Sequence, residues 1–269
     1  MNLEIEHLCC GYGKKQILSD VSITVNAGDI VCILGPNGVG KTTFFKTLLG
    51  HITKKGGHIT IDKKEFHTMS MKERAQYISY VPQFHSTPFS FTVLDVVLMG
   101  RTAHLKPFSS PQKKDINIAY QALERLKIEQ LASSIFTEIS GGEKQMVLIA
   151  RALAQEAKFM ILDEPTASLD FGNQMKVLQV LNRLAEDGLG IILTTHTPDH
   201  VFLLKNAKVV MIIRGNKILT GDAEKIMTTE SLSEAYEVPV LVKNVDIDDT
   251  VRKVCCIEMK EIQEDKKIL

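Results

Sequence analysis

Apolar residues follow two patterns along the chain, and the two patterns predict two kinds of strand. Apolar and polar positions alternate at Leu3 and Ile5 and again over residues 21–25, as is typical of half-buried antiparallel strands. Residues 30–34 are instead a continuous apolar run, which is expected of a strand buried on both faces in a parallel sheet. Similar runs recur at residues 159–162, 191–193 and 209–213. The sequence therefore predicts an α/β fold with a mainly parallel central sheet and an antiparallel β subdomain.

Helix signals replace strand signals between residues 84 and 157. Thr92 and Asp95 have the spacing of a capping box, which predicts a helix that begins after Thr92. Ser110 followed by Pro111 predicts the N-cap and first residue of a second helix. We therefore expect an α-helical subdomain over about residues 84–157, inserted into the α/β core.

Residues 35–42 (Gly-Pro-Asn-Gly-Val-Gly-Lys-Thr) match the pattern of a phosphate-binding loop, the P-loop, between a buried strand and a helix. Its glycines allow backbone N–H groups to converge on phosphate oxygens, and the positive end of the following helix points at them. In such a loop Lys41 reaches the β- and γ-phosphates, and the Thr42 hydroxyl binds Mg²⁺. The residues expected to bind ATP here are Gly35, Pro36, Asn37, Gly38, Gly40, Lys41, Thr42 and Thr43.

Two carboxylates, Asp163 and Glu164, directly follow the apolar run 159–162. Taken alone, adjacent carboxylates after a strand often form a solvated turn. Together with a P-loop they favour a second reading, because carboxylates at the C-terminal edge of a parallel sheet face the ligand crevice. We therefore expect Asp163 to contribute to Mg²⁺ binding and Glu164 to lie near the attacking water.

Composition and charge exclude several other classes of protein. The chain has 269 residues, in which 32 Lys and Arg balance 32 Asp and Glu. Nucleic-acid binders usually carry a basic excess, so we expect no nucleic-acid partner. No apolar run approaches the ~20 residues of a membrane-spanning helix, and the acidic N-terminus does not resemble a signal peptide. The five cysteines include two adjacent pairs, and we expect them to be reduced thiols.

Residues 139–145 (Ile-Ser-Gly-Gly-Glu-Lys-Gln), here called the signature segment, resemble the signature motif of ATP-binding cassette ATPases. The resemblance covers about residues 2–240, which leaves 241–269 as a C-terminal extension of unknown role. It implies that Gln83 is a glutamine that senses Mg²⁺ and the attacking water, and that His196 contacts the γ-phosphate. With Glu164, these two are the expected catalytic residues, and Thr42, Gln83 and Asp163 are the expected Mg²⁺ ligands. The nucleotide-binding residues that the resemblance adds are Tyr12, Ser140, Gly141, Gly142 and Asp170, the last in a D-loop over residues 168–170.

The signature segment also has a physical interpretation. Ser140 and Glu143 have the spacing of a capping box, so the two glycines between them place free N–H groups at a positive helix end. In the family this site serves the ATP of a second copy of the chain, packed head to tail. Glu143 departs from the commoner Gln. The alternatives are a helix cap without a ligand at Ser140, a half-buried strand-end aromatic at Tyr12, a surface turn residue at Gln83 and a hydrogen-bonded strand-end residue at His196.

A second resemblance concerns the transported molecule. Residues 87–101 and 169–174 resemble importers of iron(III)-siderophore, haem, cobalamin and related metal chelates. It implies membrane permease partners, an external substrate-binding protein and a peripheral location on the cytoplasmic face of the membrane. Phe84, Phe89 and Phe91 are predicted to line the permease groove or, equally, the core of the helical subdomain. An ABC exporter, or an importer of cobalamin, haem or molybdate, remains the alternative.

Overall fold

The computed structural model describes residues 1–83, 90–106, 109–247 and 250–257. The strands in these ranges are β1 (Asn2–Tyr12), β2 (Lys15–Asn26), β3 (Ile30–Leu34), β4 (Gly56–Ile61), β5 (Lys64–Glu65), β6 (Ile78–Val81), β7 (Phe159–Leu162), β8 (Gly190–Thr194), β9 (Lys208–Ile213), β10 (Lys217–Asp222), β11 (Val240–Ile247) and β12 (Thr250–Ile257). The α-helices are α1 (Lys41–Leu48), α2 (Met71–Tyr77), α3 (Val93–Leu98), α4 (Lys113–Arg125), α5 (Gly141–Ala154), α6 (Phe171–Glu186), α7 (Asp199–Leu203), α8 (Ala223–Ile226) and α9 (Thr229–Tyr236).

A six-stranded sheet of order β10-β9-β3-β8-β7-β6 forms the centre of the molecule. Strand β3 pairs in parallel with β8 on one side and with β9 on the other. Only the edge strand β10 runs antiparallel to its neighbour. Every residue of β3, β7 and β8 is buried, which confirms the prediction from the continuous apolar runs.

A second sheet, of order β2-β1-β4-β5, is antiparallel throughout and confirms the predicted antiparallel subdomain. Leu3, Ile5 and Val25 from this sheet pack in one apolar cluster with Phe44 and Phe45 of α1. The antiparallel sheet therefore covers the helix that follows the P-loop and holds it against the central sheet.

The described residues between β6 and β7 form α3, α4, α5 and short 3-10 turns. Thr92 caps α3 and forms the predicted capping box with Asp95. The predicted start of α4 at Ser110 and Pro111 is wrong, because the helix begins at Lys113. Its first turn is fixed by Asp115, which accepts a hydrogen bond from the backbone N–H of Gln112 (3.0 Å) and pairs with the buried Arg101 (3.1 Å).

The C-terminal extension contains a hairpin of β11 and β12, in register from Val240 opposite Ile257 to Ile247 opposite Thr250. Val242 and Cys255 pack against the main core, and the backbone N–H of Cys255 donates to Asp199 of α7 (2.7 Å). None of the helices in the described part of the chain has the length and apolar character that a bilayer crossing requires.

Candidate active site

The P-loop connects β3 to α1 through glycines whose conformations other residues adopt only with strain. Gly35 has φ of 144°, and a Cβ atom at this position would lie 2.4 Å from the carbonyl oxygen of Ile212. Gly40, the N-cap of α1, has φ of 117°, and a Cβ atom there would lie 2.9 Å from the side chain of Ile17. The loop therefore needs glycine at both ends for its conformation and for close packing.

Lys41, the first residue of α1, is buried and holds the P-loop from within. Its ammonium group donates to the carbonyl oxygens of Gly35 (2.6 Å) and Pro36 (3.0 Å). Burial lowers the pKa of Lys41, and the negative charges of Glu164 and Asp163 partly oppose this effect. Because an ammonium group has three donors, one remains available for a phosphate oxygen.

A cavity of about 170 Å³ opens at the N-terminal end of α1. Its lining contains six of the predicted nucleotide-binding residues, which are Asn37, Gly38, Gly40, Lys41, Thr42 and Thr43. Glu164 and Ile17 complete the described lining, and the sequence pattern gave no indication of Ile17. The structure thus brings the predicted phosphate-binding residues and one predicted catalytic carboxylate to the same cavity.

Thr194, at the end of β8, fixes the two carboxylate residues that follow β7. Its hydroxyl donates to Asp163 Oδ1 (2.7 Å) and accepts from the backbone N–H of Glu164 (2.8 Å). Tyr80 also forms a hydrogen bond with Asp163. Its pKa is raised to about 12 by burial, by the charge of the Asp163 carboxylate and by this hydrogen bond. The sequence analysis did not identify Thr194 or Tyr80. The relevant signal was their position at the same sheet edge as Asp163.

Glu164 contacts the other two predicted catalytic residues, Gln83 and His196. Its Oε2 atom lies 2.8 Å from Gln83 Nε2, which donates to it, and 3.4 Å from His196 Nδ1. The carboxyl group is 16% exposed, whereas the His196 side chain is 53% exposed. Glu164 also has φ of 47°, in the left-handed region, so its backbone is locally strained. This carboxylate, beside the P-loop cavity, has the position of a group that orients or deprotonates a water molecule.

The signature segment begins α5 as predicted. Ser140 is the N-cap, and its hydroxyl accepts from the N–H of Glu143 (3.4 Å), while Glu143 accepts from the Ser140 backbone (2.9 Å). Hydrogen bonds from the Ser140 side chain and backbone lower the pKa of Glu143. Nothing lies within 4 Å of a Cβ atom built on Gly141, whereas one on Gly142 would lie 2.6 Å from Asn173. Close packing between α5 and α6 thus requires a glycine at position 142, whereas the surface around Gly141 is open.

Asp170 of the D-loop is the N-cap of α6. Its Oδ1 accepts from the backbone N–H of Asn173 (2.8 Å), and its Oδ2 accepts from the Asn173 side chain (2.6 Å). The backbone hydrogen bond from Asn173 is the main cause that lowers the pKa of Asp170. Both carboxylate oxygens therefore serve α6 and its contact with Gly142. A direct role for Asp170 in nucleotide binding stays a prediction.

The signature segment and the P-loop line different cavities in the described part of the chain. Gly142 and Glu143 line a cavity of about 410 Å³ between the helical subdomain and α6, and no P-loop residue is in its described lining. Tyr12, 46% exposed at the end of β1, is outside the described lining of both cavities. One copy of the chain therefore brings together one half of the predicted nucleotide site.

Oxygen donors in the P-loop cavity (Thr42) and next to its Glu164 (Asp163 and Gln83) fit Mg²⁺. Mg²⁺ is usually bound through one or two carboxylates and substrate phosphates, with several waters retained. The Asp163 carboxylate, the Thr42 hydroxyl and the amide oxygen of Gln83 are donors of this type. In the residues that the structure describes, no group of three or more His, Cys, Asp or Glu could form a complete protein cage for a metal.

Comparison with known proteins gives one family. The model of the ABC transporter family matches residues 18–167. The molybdate import ATP-binding protein MolC of Haemophilus influenzae is 38% identical over 240 residues, 88% of this chain and 89% of that protein. The iron(3+)-hydroxamate import ATP-binding protein FhuC of Bacillus subtilis is 31% identical over 269 residues, 100% of this chain and 98% of that protein. The solved inward-facing structure of a metal-chelate type ABC transporter has a TM-score of 0.87 and 35% identity, covering 96% of this chain and 98% of that one.

Proposed function

This chain belongs to the ABC transporter family of ATP-binding subunits, and we propose that it hydrolyses ATP to drive import of an iron(III)-siderophore or a related metal chelate. The observation that carries the proposal is Glu164, whose carboxylate borders the P-loop cavity and contacts Gln83 and His196. The similarity to a metal-chelate type transporter over 96% of this chain supports the substrate class. Molybdate is the second candidate cargo, because MolC is 38% identical to this chain.

The proposed chemistry is attack of a water molecule on the γ-phosphorus of ATP, which forms a new P–O bond while the bond to the β–γ bridging oxygen breaks and ADP leaves. Backbone N–H groups of the P-loop and the free donor of Lys41 bind the phosphates, while Glu164 orients the water and accepts its proton. His196, whose Nδ1 atom lies 3.4 Å from Glu164 Oε2, contacts the γ-phosphate. Thr42, Gln83 and Asp163 would hold Mg²⁺, which supplies positive charge against the charge that develops on the transferring phosphoryl group.

We further propose that two copies close head to tail around ATP. The P-loop and the signature segment line different cavities, and a Cβ atom on Gly141 would meet open space. In a head-to-tail pair, the N–H groups at the start of α5 in one copy face the phosphates bound by the P-loop of the other copy. Ser140, Gly141 and Gly142 would then stabilise the transition-state charge in the partner's site.

As an importer subunit, the chain is proposed to bind membrane permease subunits on the cytoplasmic face of the membrane. We propose two permease subunits and an external substrate-binding protein as its partners in transport. Of the phenylalanines proposed for the permease groove, Phe84 and Phe89 lie outside the described residues. Phe91 is partly buried and packs against the main core, which supports its core role.

Glu164→Gln tests the proposed chemistry. The amide keeps the size of the side chain but cannot accept a proton, so we expect ATP turnover to stop while ATP still binds and closed dimers accumulate. Glu186→Gln is the matched control, because Glu186 is an exposed carboxylate paired with Lys205 (2.5 Å). ATP hydrolysis at the wild-type rate in Glu164→Gln would refute the role of Glu164.

The cargo is tested separately in vesicles that contain the reconstituted permease and this subunit. We expect the binding protein loaded with an iron(III)-hydroxamate to stimulate ATP hydrolysis and iron uptake. Stimulation by molybdate alone would identify the second candidate instead. Net movement of the chelate away from the side of the vesicle membrane that carries this subunit would contradict import.

A further inference from the structure

A buried histidine, His200, lies in α7, four residues after His196, and has no role in the chemistry described above. It is 4% exposed. Its Nδ1 atom lies 3.3 Å from Thr166 Oγ1 and 3.4 Å from Thr195 Oγ1. Its Nε2 atom lies 3.3 Å from Gln174 Oε1. One imidazole ring therefore contacts three segments of the chain.

The neighbouring hydrogen bonds determine which nitrogen of His200 carries the proton. Gln174 Nε2 donates to the carbonyl oxygen of Leu169 (2.9 Å), so Gln174 turns its oxygen, an acceptor, toward His200. His200 Nε2 must then be the donor, and Nδ1 accepts from the Thr166 hydroxyl, because the Thr195 hydroxyl donates to the carbonyl oxygen of Thr197 (3.4 Å). Burial is the main cause that lowers the pKa of His200, the neighbouring His196 adds to this effect, and Asp199 opposes it. The lowered pKa agrees with a neutral ring in this arrangement.

Each contact of His200 leads to a segment of the proposed site. Thr166 is in the turn that carries Glu164, where the N–H of Ala167 closes back on the Glu164 carbonyl oxygen (3.0 Å). Thr195 immediately precedes His196. Gln174 continues the chain of hydrogen bonds to Leu169 in the D-loop. Through Thr166, Thr195 and Gln174, His200 thus connects the turn of Glu164, the residue before His196 and the D-loop.

We propose that His200 is a positioning residue for ATP hydrolysis, which holds the Glu164 turn, the His196 loop and the D-loop in one arrangement. The inference rests on the ATPase activity of this chain. In the described structure no hydrogen bond joins His200 to a P-loop residue, so we expect its loss to affect the hydrolytic step and to leave nucleotide binding intact. Displacement of a reacting group by about 1 Å can lower a rate about 100-fold.

Three substitutions of His200 separate this role from a general loss of structure. His200→Ala removes all three contacts, and we expect kcat for ATP to fall by about 10-fold to 100-fold with ATP affinity within about 2-fold of wild type. His200→Asn keeps a polar atom near the position of Nδ1, so it preserves the contacts with Thr166 and Thr195. His200→Gln reaches the position of Nε2 and preserves the contact with Gln174. We expect each amide to restore part of the lost kcat.

A double variant and a core variant provide the controls. If His200 acts through Gln174, His200→Ala combined with Gln174→Ala lowers kcat by less than the product of the two single effects. Leu178→Ala removes a buried side chain of α6 and provides a comparable loss of stability. An equal fall in kcat in Leu178→Ala and His200→Ala, without recovery in either amide variant, would overturn the proposal.

Hydrogen exchange tests the same links without relying on hydrolysis. In the full-length chain, His200→Ala is expected to increase amide exchange in residues 164–170 and 194–197 and to leave the P-loop unchanged. Unchanged exchange in both segments would overturn the positioning role even in an active enzyme. A wild-type chain that does not hydrolyse ATP would refute the proposed function, and the exchange result would still decide whether His200 orders these segments.

Discussion

Thr194→Val removes the hydroxyl that fixes Asp163 and Glu164 and keeps nearly the same side-chain volume. Thr194 is completely buried, so water cannot replace the hydroxyl next to the Glu164 N–H. A buried N–H without an acceptor costs about 1–3 kcal/mol, and loss of a hydrogen bond to a charged group costs about 1.5–3 kcal/mol. Asp163 is only half-buried and water recovers part of the second term, so we expect a total of about 3 kcal/mol. For a chain of this size the melting temperature then falls by roughly 6–12 °C.

Thr194→Ser is the matched control, because it keeps both hydrogen bonds and loses one methyl group, at a cost of about 1 kcal/mol. Thermal unfolding followed by circular dichroism measures stability, and phosphate release measures turnover. We expect Val to lower both, with turnover reduced about 10-fold or more as Glu164 leaves its position, and Ser to retain most of each. Equal melting temperatures and equal turnover for the two variants would refute this account of Thr194.

Three further predictions concern the rest of the site and its support. Gly40→Ala forces a Cβ atom against Ile17 at a positive φ, and this strain of about 1–3 kcal/mol should weaken ATP binding about 10-fold in a titration with a fluorescent analogue. Burial favours the neutral Asp29 carboxyl, but hydrogen bonds from Lys208 and Asn26 lower its pKa below 3.8, so the contribution of Asp29 is complete above pH 3.8 and disappears as the pH falls below it. Asp29→Asn should therefore lower the urea midpoint at pH 7 and approach wild type in stronger acid. Ser140→Ala should cost about 1 kcal/mol in urea unfolding through loss of the α5 cap; no change would contradict the capping role.

The elements that the sequence predicted correctly depend on neighbours within a few positions along the chain. The capping boxes at Thr92 and Ser140 need only a partner three residues later, and both are present. The buried strands follow from apolar runs because a strand in the middle of a parallel sheet is covered on both faces. The predicted start of α4 was wrong because that start depends on a residue farther away in sequence. Asp115, in the first turn of α4, pairs with Arg101 of a preceding 3-10 turn.

The active-site residues that the sequence missed are brought together by the sheet. Thr194 meets Asp163 because β8 and β7 are adjacent parallel strands that end at the same edge. His200 of α7 contacts Gln174 of α6, and β8 lies between these two helices in the sequence. No sequence spacing rule relates the two residues. Their residue types were also uninformative, because a threonine at the end of a strand and a histidine in the first turn of a short helix are both common.

The position of β3 between β8 and β9 has a consequence for how the protein is made. Synthesis proceeds from the N-terminus, so β3 is complete long before residues 190–213, which form both of its neighbours. Until then this wholly apolar strand has two unpaired edges, the kind of segment that associates with other chains during folding. A translation product that stops before residue 190 contains the phosphate-binding sequence without the strands that shape it. The phosphate-binding loop can therefore reach its final shape only after residues 190–213 have left the ribosome.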